Sequence, residues 1–184
     1  MSEFLNIYIF HWEPSKAIWI GGHTLSWDAR CSGIYIGFGV GVLYQVAINR
    51  KAYKAPSPEL LLVNALLLLP LFLDVFTVRY GLRVPANDMR YGTGLVFGEA
   101  FSVFLYTAFI TIVSAKTDSS ISPYSLKRFA LPLVFIVCVF FLKQWNNALA
   151  FVSLEFTGIV GFLSLLGMLV IGMLKALMNV STQK

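Results

Sequence analysis

Three acidic residues stand inside long apolar stretches of this 184-residue chain, at Asp74, Glu99 and Glu155. An ionised carboxylate in the middle of a lipid bilayer costs at least about 2.5 kcal/mol, so such residues face the interior of a helix bundle and are paired or protonated. Two interpretations remain open. The acids share one polar pocket, or each forms hydrogen bonds that tie neighbouring helices together.

Basic and amide side chains follow Asp74 around a Val-Pro turn, at Arg83, Asn87 and Arg90. Guanidinium groups bind phosphate or carboxylate at two points, and the start of a helix at Gly92-Thr93-Gly94 adds free N–H groups. The alternative is that these arginines are solvated or face lipid headgroups. The predicted anion site comprises eight residues: Arg30, Asp74, Arg83, Asn87, Arg90, Thr93, Glu99 and Glu155.

Residue types that bind metals are gathered near the amino terminus, at His11, His23, Asp28 and Cys31. No pair of them has the short spacing of a structural zinc motif. Two histidines at the membrane interface and one apolar cysteine are therefore the simpler interpretation, and these four residues are weak metal candidates. The sequence implies no cofactor.

The composition determines the class of protein to which these residues belong. Hydrophobic residues make up 58% of the chain and charged residues only 12%, whereas soluble proteins have about 25% charged residues. We predict an all-α, polytopic membrane protein with about five transmembrane helices, at residues 31–48, 60–78, 91–114, 128–142 and 148–177. Residues 1–30, rich in aromatic side chains, are expected to form an interfacial amphipathic segment, and residues 31–184 a single helical bundle.

Glycines recur four residues apart in two of these spans. Gly33, Gly37 and Gly41 share one helical face, and Gly94 and Gly98 share another. Small residues let helix backbones approach closely in lipid, so we predict that both faces are packing surfaces. The helix that each face contacts belongs to the same chain, to a second copy, or to another membrane subunit.

The formal net charge of +5 is explained by membrane topology and attraction to anionic lipid. No basic aromatic motif suggests nucleic acid binding. The loops at residues 49–59 and 115–128 and the carboxyl-terminal tail carry the basic residues with fewest acidic neighbours. The positive-inside bias therefore places these segments, including the carboxyl terminus, in the cytoplasm.

The chain resembles an uncharacterised family of bacterial and archaeal integral membrane proteins. That family's second motif matches Asp74, Gly81, Arg83, Asn87, Arg90, Thr93, Gly94 and Gly98. Its first motif, Cys-His followed by Cys-Ala-Arg-Cys-Thr-Gly-Ile-Tyr-x-Gly, corresponds here to Phe10-His11 and to residues 28–37, with Phe10 and Asp28 in place of two cysteines. The resemblance covers about residues 10–110 and implies a prokaryotic cytoplasmic membrane protein.

Three functional hypotheses follow. The first is a membrane protein with a polar outer-leaflet site for an anionic lipid headgroup or a phosphorylated small molecule. The second is an accessory structural subunit of a larger membrane complex. The third is a lipid-modifying enzyme in which Glu99 or Glu155 acts as a general base, but no motif of nucleophile and base supports it.

Overall fold

The computed structural model describes residues 14–48, 57–113 and 126–181, and helices dominate them. We number the six α-helices of these described residues in chain order: α1 Ala29–Ile48, α2 Pro58–Leu66, α3 Leu69–Arg79, α4 Asn87–Val113, α5 Leu126–Leu142 and α6 Ala148–Ser181. Short 3-10 helices lie at Pro14–Lys16 and Lys143–Trp145. The prediction of an all-α membrane protein is confirmed.

Each of the five predicted spans coincides with helix. Within the described residues, three stretches are long and apolar enough to cross a bilayer: Pro58–Arg79, Asn87–Val113 and Ala148–Met178. The apolar helical stretch Ala130–Trp145, which joins most of α5 to the 3-10 helix that follows it, is shorter. The number of crossings therefore stays a prediction.

The second predicted span consists of two helices, because α2 ends at Leu66 and α3 begins at Leu69. Pro70 lies in the first turn of α3. Proline has no N–H to donate and its ring crowds the carbonyl four residues earlier, so a continuous helix is broken just before it.

Helix α1 is the centre of the bundle, and its largest interface is with α4. A β-carbon on Gly37 would overlap the carbonyl of Leu95, and one on Gly98 would overlap the carbonyl of Ile34. Gly33, Gly41 and Gly94 are similarly close to the facing helix. The predicted glycine faces of the two spans therefore lie against each other within one chain.

A second glycine contact joins α1 to α6. Gly39 lies against the backbone of Gly161, and a β-carbon on Gly161 would overlap the carbonyl of Tyr35. Gly39 and Gly161 were not among the predicted packing residues. The signal was present, because Gly39 is about 200° around the helix from Gly37 and so lies on the opposite face.

A short hairpin covers the end of the bundle at which α1, α4 and α6 begin, which we call the polar end. Strands β1, Trp19–Ile20, and β2, His23–Thr24, pair antiparallel. The connecting residues, Gly21 and Gly22, have φ of 58° and 82°, as the two central residues of a type I′ turn require.

The hairpin is anchored in the core. Ile20 and Leu25 are buried in the same cluster as Leu154 of α6, and the Gly21 N–H donates to Asn146 Oδ1 at 2.6 Å. Trp27, expected at the interface, is only 7% exposed because its ring packs against neighbouring aromatic rings of α1 and α6. The described part of the amino-terminal segment therefore packs against the helix bundle.

Replacing Gly37 or Gly98 by leucine should prevent folding or strongly lower thermal stability, because the new side chain would meet backbone atoms that cannot move aside. Gly167→Leu is the matched control, since nothing lies within 4 Å of its β-carbon position. Size-exclusion chromatography of detergent-solubilised protein after heating measures the difference. Equal melting temperatures in the three variants would contradict the interface.

Candidate anion site at the polar end

Asp74, near the end of α3, lies at the centre of a cluster of charges. Its Oδ2 is 2.6 Å from Nη2 of Arg30, and its Oδ1 accepts a hydrogen bond from Nη2 of Arg83. The Asp74 side chain is 1% exposed, whereas the Arg30 and Arg83 side chains are 28% and 29% exposed. The carboxylate is therefore buried beneath two guanidinium groups that remain partly accessible.

The end of α3 directs Arg83 back toward Asp74. Gly81 has a φ of 69°, its N–H donates to the Val78 carbonyl, and the Leu82 N–H donates to the Thr77 carbonyl. This is the Schellman arrangement, which needs a left-handed residue just beyond the helix, usually glycine. The chain reverses there.

Arg30 is placed by the start of α1. Asp28 caps this helix, because its Oδ1 accepts a hydrogen bond from the Cys31 N–H at 2.8 Å. A β-carbon on Gly94 would contact the Arg30 carbonyl, so the glycine interface holds the first turn of α1 beside the first turns of α4. Arg90 lies one turn before Gly94.

Asn87 connects Arg90 to the amino-terminal segment. Its Nδ2 donates to the carbonyls of Ser15 and Ala17, at 3.1 and 3.3 Å, and its Oδ1 accepts from Arg90 Nη1 at 3.3 Å. Asn87 therefore acts as a positioning residue, since both its donor and its acceptor are used within the protein.

Two buried hydrogen-bond donors at the polar end, the Nε atoms of Arg30 and Arg90, have no acceptor among the described residues. Leaving a buried donor unpaired costs about 1–3 kcal/mol, and more for a charged group. The formal charges of Arg30 and Arg83 exceed that of Asp74 by one, and Arg90, which contacts Asn87, adds another positive charge at this end of the bundle. The cluster thus has positive charge and unused donors.

Three members of the predicted site lie elsewhere or are already occupied. Glu155 accepts hydrogen bonds from the N–H and hydroxyl of Ser26 and so holds the hairpin to α6. Glu99 is nine residues beyond Arg90, about 14 Å along α4. It is 1% exposed, and its Oε2 has no hydrogen-bond partner among the described residues. The Thr93 hydroxyl donates to carbonyls of its own helix.

The weak metal candidates do not form a site in the part of the chain that the structure describes, where no group of three potential metal ligands occurs. His11 lies outside the described residues. His23 stacks on Phe151 with ring centroids 5.0 Å apart, Asp28 caps α1, and Cys31 is in the first turn of that helix.

Two polar contacts inside the bundle were not predicted from the sequence. Gln45 Nε2 donates to the Ser102 hydroxyl at 3.1 Å, and Asn64 Nδ2 donates to the Ala100 carbonyl at 2.7 Å. Both amides are almost fully buried. An amide within a predicted span was the signal that could have found them, because lipid offers it no partner.

Residues 10–104, just over half of the chain, match the family described as "Predicted membrane protein (DUF2085)". The chain belongs to this family. An uncharacterised protein of Methanocaldococcus jannaschii is 30% identical over 109 residues, which cover 59% of this chain and 68% of the relative. An uncharacterised protein of Methanothermobacter thermautotrophicus is 36% identical over 96 residues, which cover 52% of this chain and 83% of the relative.

No solved structure matches the chain. The match to the DUF2085 family contains the whole charge cluster of this member, from Arg30 to Arg90. The match ends before α5 and α6, so among the helices the family region contains α1 to α3 and most of α4.

Asp74→Ala should destabilise the protein by more than about 2 kcal/mol, because it leaves two arginines without their shared acceptor. Asp88→Ala is the control, since Asp88 pairs with Lys143 but its side chain is 77% exposed, and exposed ion pairs contribute about 0–1 kcal/mol. Denaturant unfolding of both variants measures the difference. Equal losses would mean that the buried cluster does not stabilise the fold.

Proposed function

We propose that this membrane protein binds an anionic group at its polar end, the phosphate of a lipid headgroup or of a phosphorylated small molecule. The observation that carries the proposal is the pair of buried Nε donors on Arg30 and Arg90 that have no acceptor among the described residues. An oxyanion at this end of the bundle would offer acceptors to such donors and would balance the excess positive charge.

Asp74 has a defined part in this proposal. It binds one terminal nitrogen of Arg30 and one of Arg83, which fixes the planes of both guanidinium groups and reduces their mutual repulsion. Arginine in a fixed orientation recognises phosphate at two points, whereas a lysine presents only a point charge. Asp74 is therefore a positioning residue and the arginines are the ligand-binding residues.

We also propose that the polar end faces the outer leaflet and that the carboxyl terminus is cytoplasmic. The basic residues of the loops at 49–59 and 115–128 support this orientation through the positive-inside bias. A ligand would then enter from the non-cytoplasmic headgroup region.

The orientation can be tested with single cysteines in a variant that lacks Cys31 and Cys138. A membrane-impermeant maleimide applied to intact cells should label a cysteine at position 83, and label one at position 127 only after lysis. Labelling of both from the outside would contradict the orientation and would mean that α4 does not cross the membrane between the two positions.

The two alternative functions receive less support. The accessory-subunit hypothesis relied on glycine faces being available to partner helices, but Gly37 and Gly98 are filled by the protein's own backbone. The enzyme hypothesis needed an accessible carboxylate base. Glu155 is bound to Ser26 and Glu99 is buried.

Arg83→Lys should reduce retention of an anionic lipid at least fivefold, even though the charge is preserved, because an ammonium group cannot reproduce a planar two-point contact. An Arg83/Arg90 double alanine should abolish retention. Native mass spectrometry of protein purified with phosphatidylglycerol measures the bound fraction.

Arg79→Ala is the matched control for these variants. Arg79 lies in the last turn of α3 near the same end of the bundle and is exposed, so its loss should change retention by less than twofold. Unchanged lipid binding in both Arg83→Lys and the double alanine would remove the basis for the headgroup site.

A further inference from the structure

An apolar groove begins beside the charge cluster and runs between α4 and α5. We call it the lateral groove. Its walls include Gly92, Val96, Ile136, Val137 and Phe140, and Pro70 of α3 closes one side. Its volume is about 400 Å³, within the range of about 300–1,000 Å³ for ligand pockets.

The groove exists partly because Gly92 has no side chain. A β-carbon there would be 3.1 Å from the Phe140 ring, so a larger residue would narrow the space. The groove opens on the outer side of the bundle, where Val137 and Phe141 of α5 are each 54% exposed. In a membrane, that side faces lipid.

The mouth of the groove adjoins the proposed anion site. Met89 and Thr93, which line the groove, flank Arg90 at the preceding position and one turn further along α4. Lys143 adds another cation near the mouth, where its Nζ pairs with Asp88 and lies 5.0 Å from the Phe140 ring centroid.

We infer that the ligand of this site is an anionic membrane lipid that places its phosphate at the arginines and one acyl chain in the lateral groove. The inference rests on the proposed function and chooses between the two sources of phosphate. A soluble phosphorylated molecule would leave the apolar groove unused, whereas a lipid carries the anion and the chain in one molecule. The acyl chain would pass from bilayer hydrocarbon to an apolar groove, so the groove would contribute dispersion contacts and selection by shape rather than a hydrophobic driving force.

The test uses the full-length protein in nanodiscs that contain phosphatidylglycerol with a photoreactive diazirine on one acyl chain. Irradiation should cross-link the lipid to peptides of α4 and α5 that line the groove, as mapped by mass spectrometry. Val137→Trp should reduce this cross-linking at least fivefold, because the indole fills the groove.

Val134→Trp is the matched control. Val134 lies one turn earlier on α5, is similarly exposed at 58%, and is not part of the groove lining, so cross-linking should stay within twofold of the unmodified protein. Met89→Trp, at the mouth, provides a second blocking variant if Val137→Trp does not fold. Glycerophosphoglycerol, the headgroup without chains, should not displace the lipid at tenfold excess.

The Arg83/Arg90 double alanine separates failure of this inference from failure of the proposed function. Loss of cross-linking in the double alanine and in Val137→Trp supports both. Loss in the double alanine alone, or displacement by glycerophosphoglycerol, overturns the acyl-chain site and leaves the anion site. Loss of cross-linking in Val137→Trp alone overturns the headgroup site, and with it a ligand that binds through both phosphate and acyl chain. Unchanged cross-linking in both variants overturns the anion site and the acyl-chain site together.

Discussion

Direct backbone contact between α1 and its two neighbours is the constraint on which the rest of the structure depends. Within lipid, no hydrophobic driving force brings helices together, so close packing and dispersion must do so. Gly37 and Gly98 allow this on the α4 side, and Gly39 and Gly161 on the α6 side. Because a β-carbon at any of these positions would meet backbone, the register of α1 against both helices is fixed to the residue.

That register brings the charges together. Arg30 lies in the first turn of α1, and its carbonyl is beside Gly94 of α4; its side chain can therefore reach Asp74 on α3. A buried carboxylate requires compensating charge, and the cluster supplies more than Asp74 needs. The excess donors lower stability if nothing binds them, and departures of this kind from a fully satisfied structure are expected at functional sites.

Much of this arrangement could be predicted from the sequence. The lengths of the apolar stretches predicted the helices. The four-residue spacing of glycines on α1 and α4 predicted two packing faces, which lie against each other in the structure. Asp74 and Arg83 are nine residues apart across a glycine-containing turn, so their proximity follows from local structure. Helical periodicity and local turn chemistry suffice for each of these features.

The sequence is less informative where local information ends. Glu155 was grouped with the anion site as an acidic residue inside an apolar stretch, but this position does not specify which side of the bundle the residue faces. Its partner, Ser26, follows a hairpin of two-residue strands that hydropathy does not reveal. The lateral groove was also beyond prediction, because it depends on the separation between α4 and α5 opposite Gly92.

The close packing of α1 against α4 and α6 also bears on where the unpaired Nε donors of Arg30 and Arg90 lie. Inside the bundle, Gln45 and Asn64 bond to groups on α4, so these amide donors are used to hold helices together. At the polar end the helices begin, and Arg30 and Arg83 remain partly exposed. The unpaired Nε atoms of Arg30 and Arg90 are themselves buried, so water does not offset the cost of leaving them unpaired. An acceptor carried by a ligand at this end of the bundle would remove that cost.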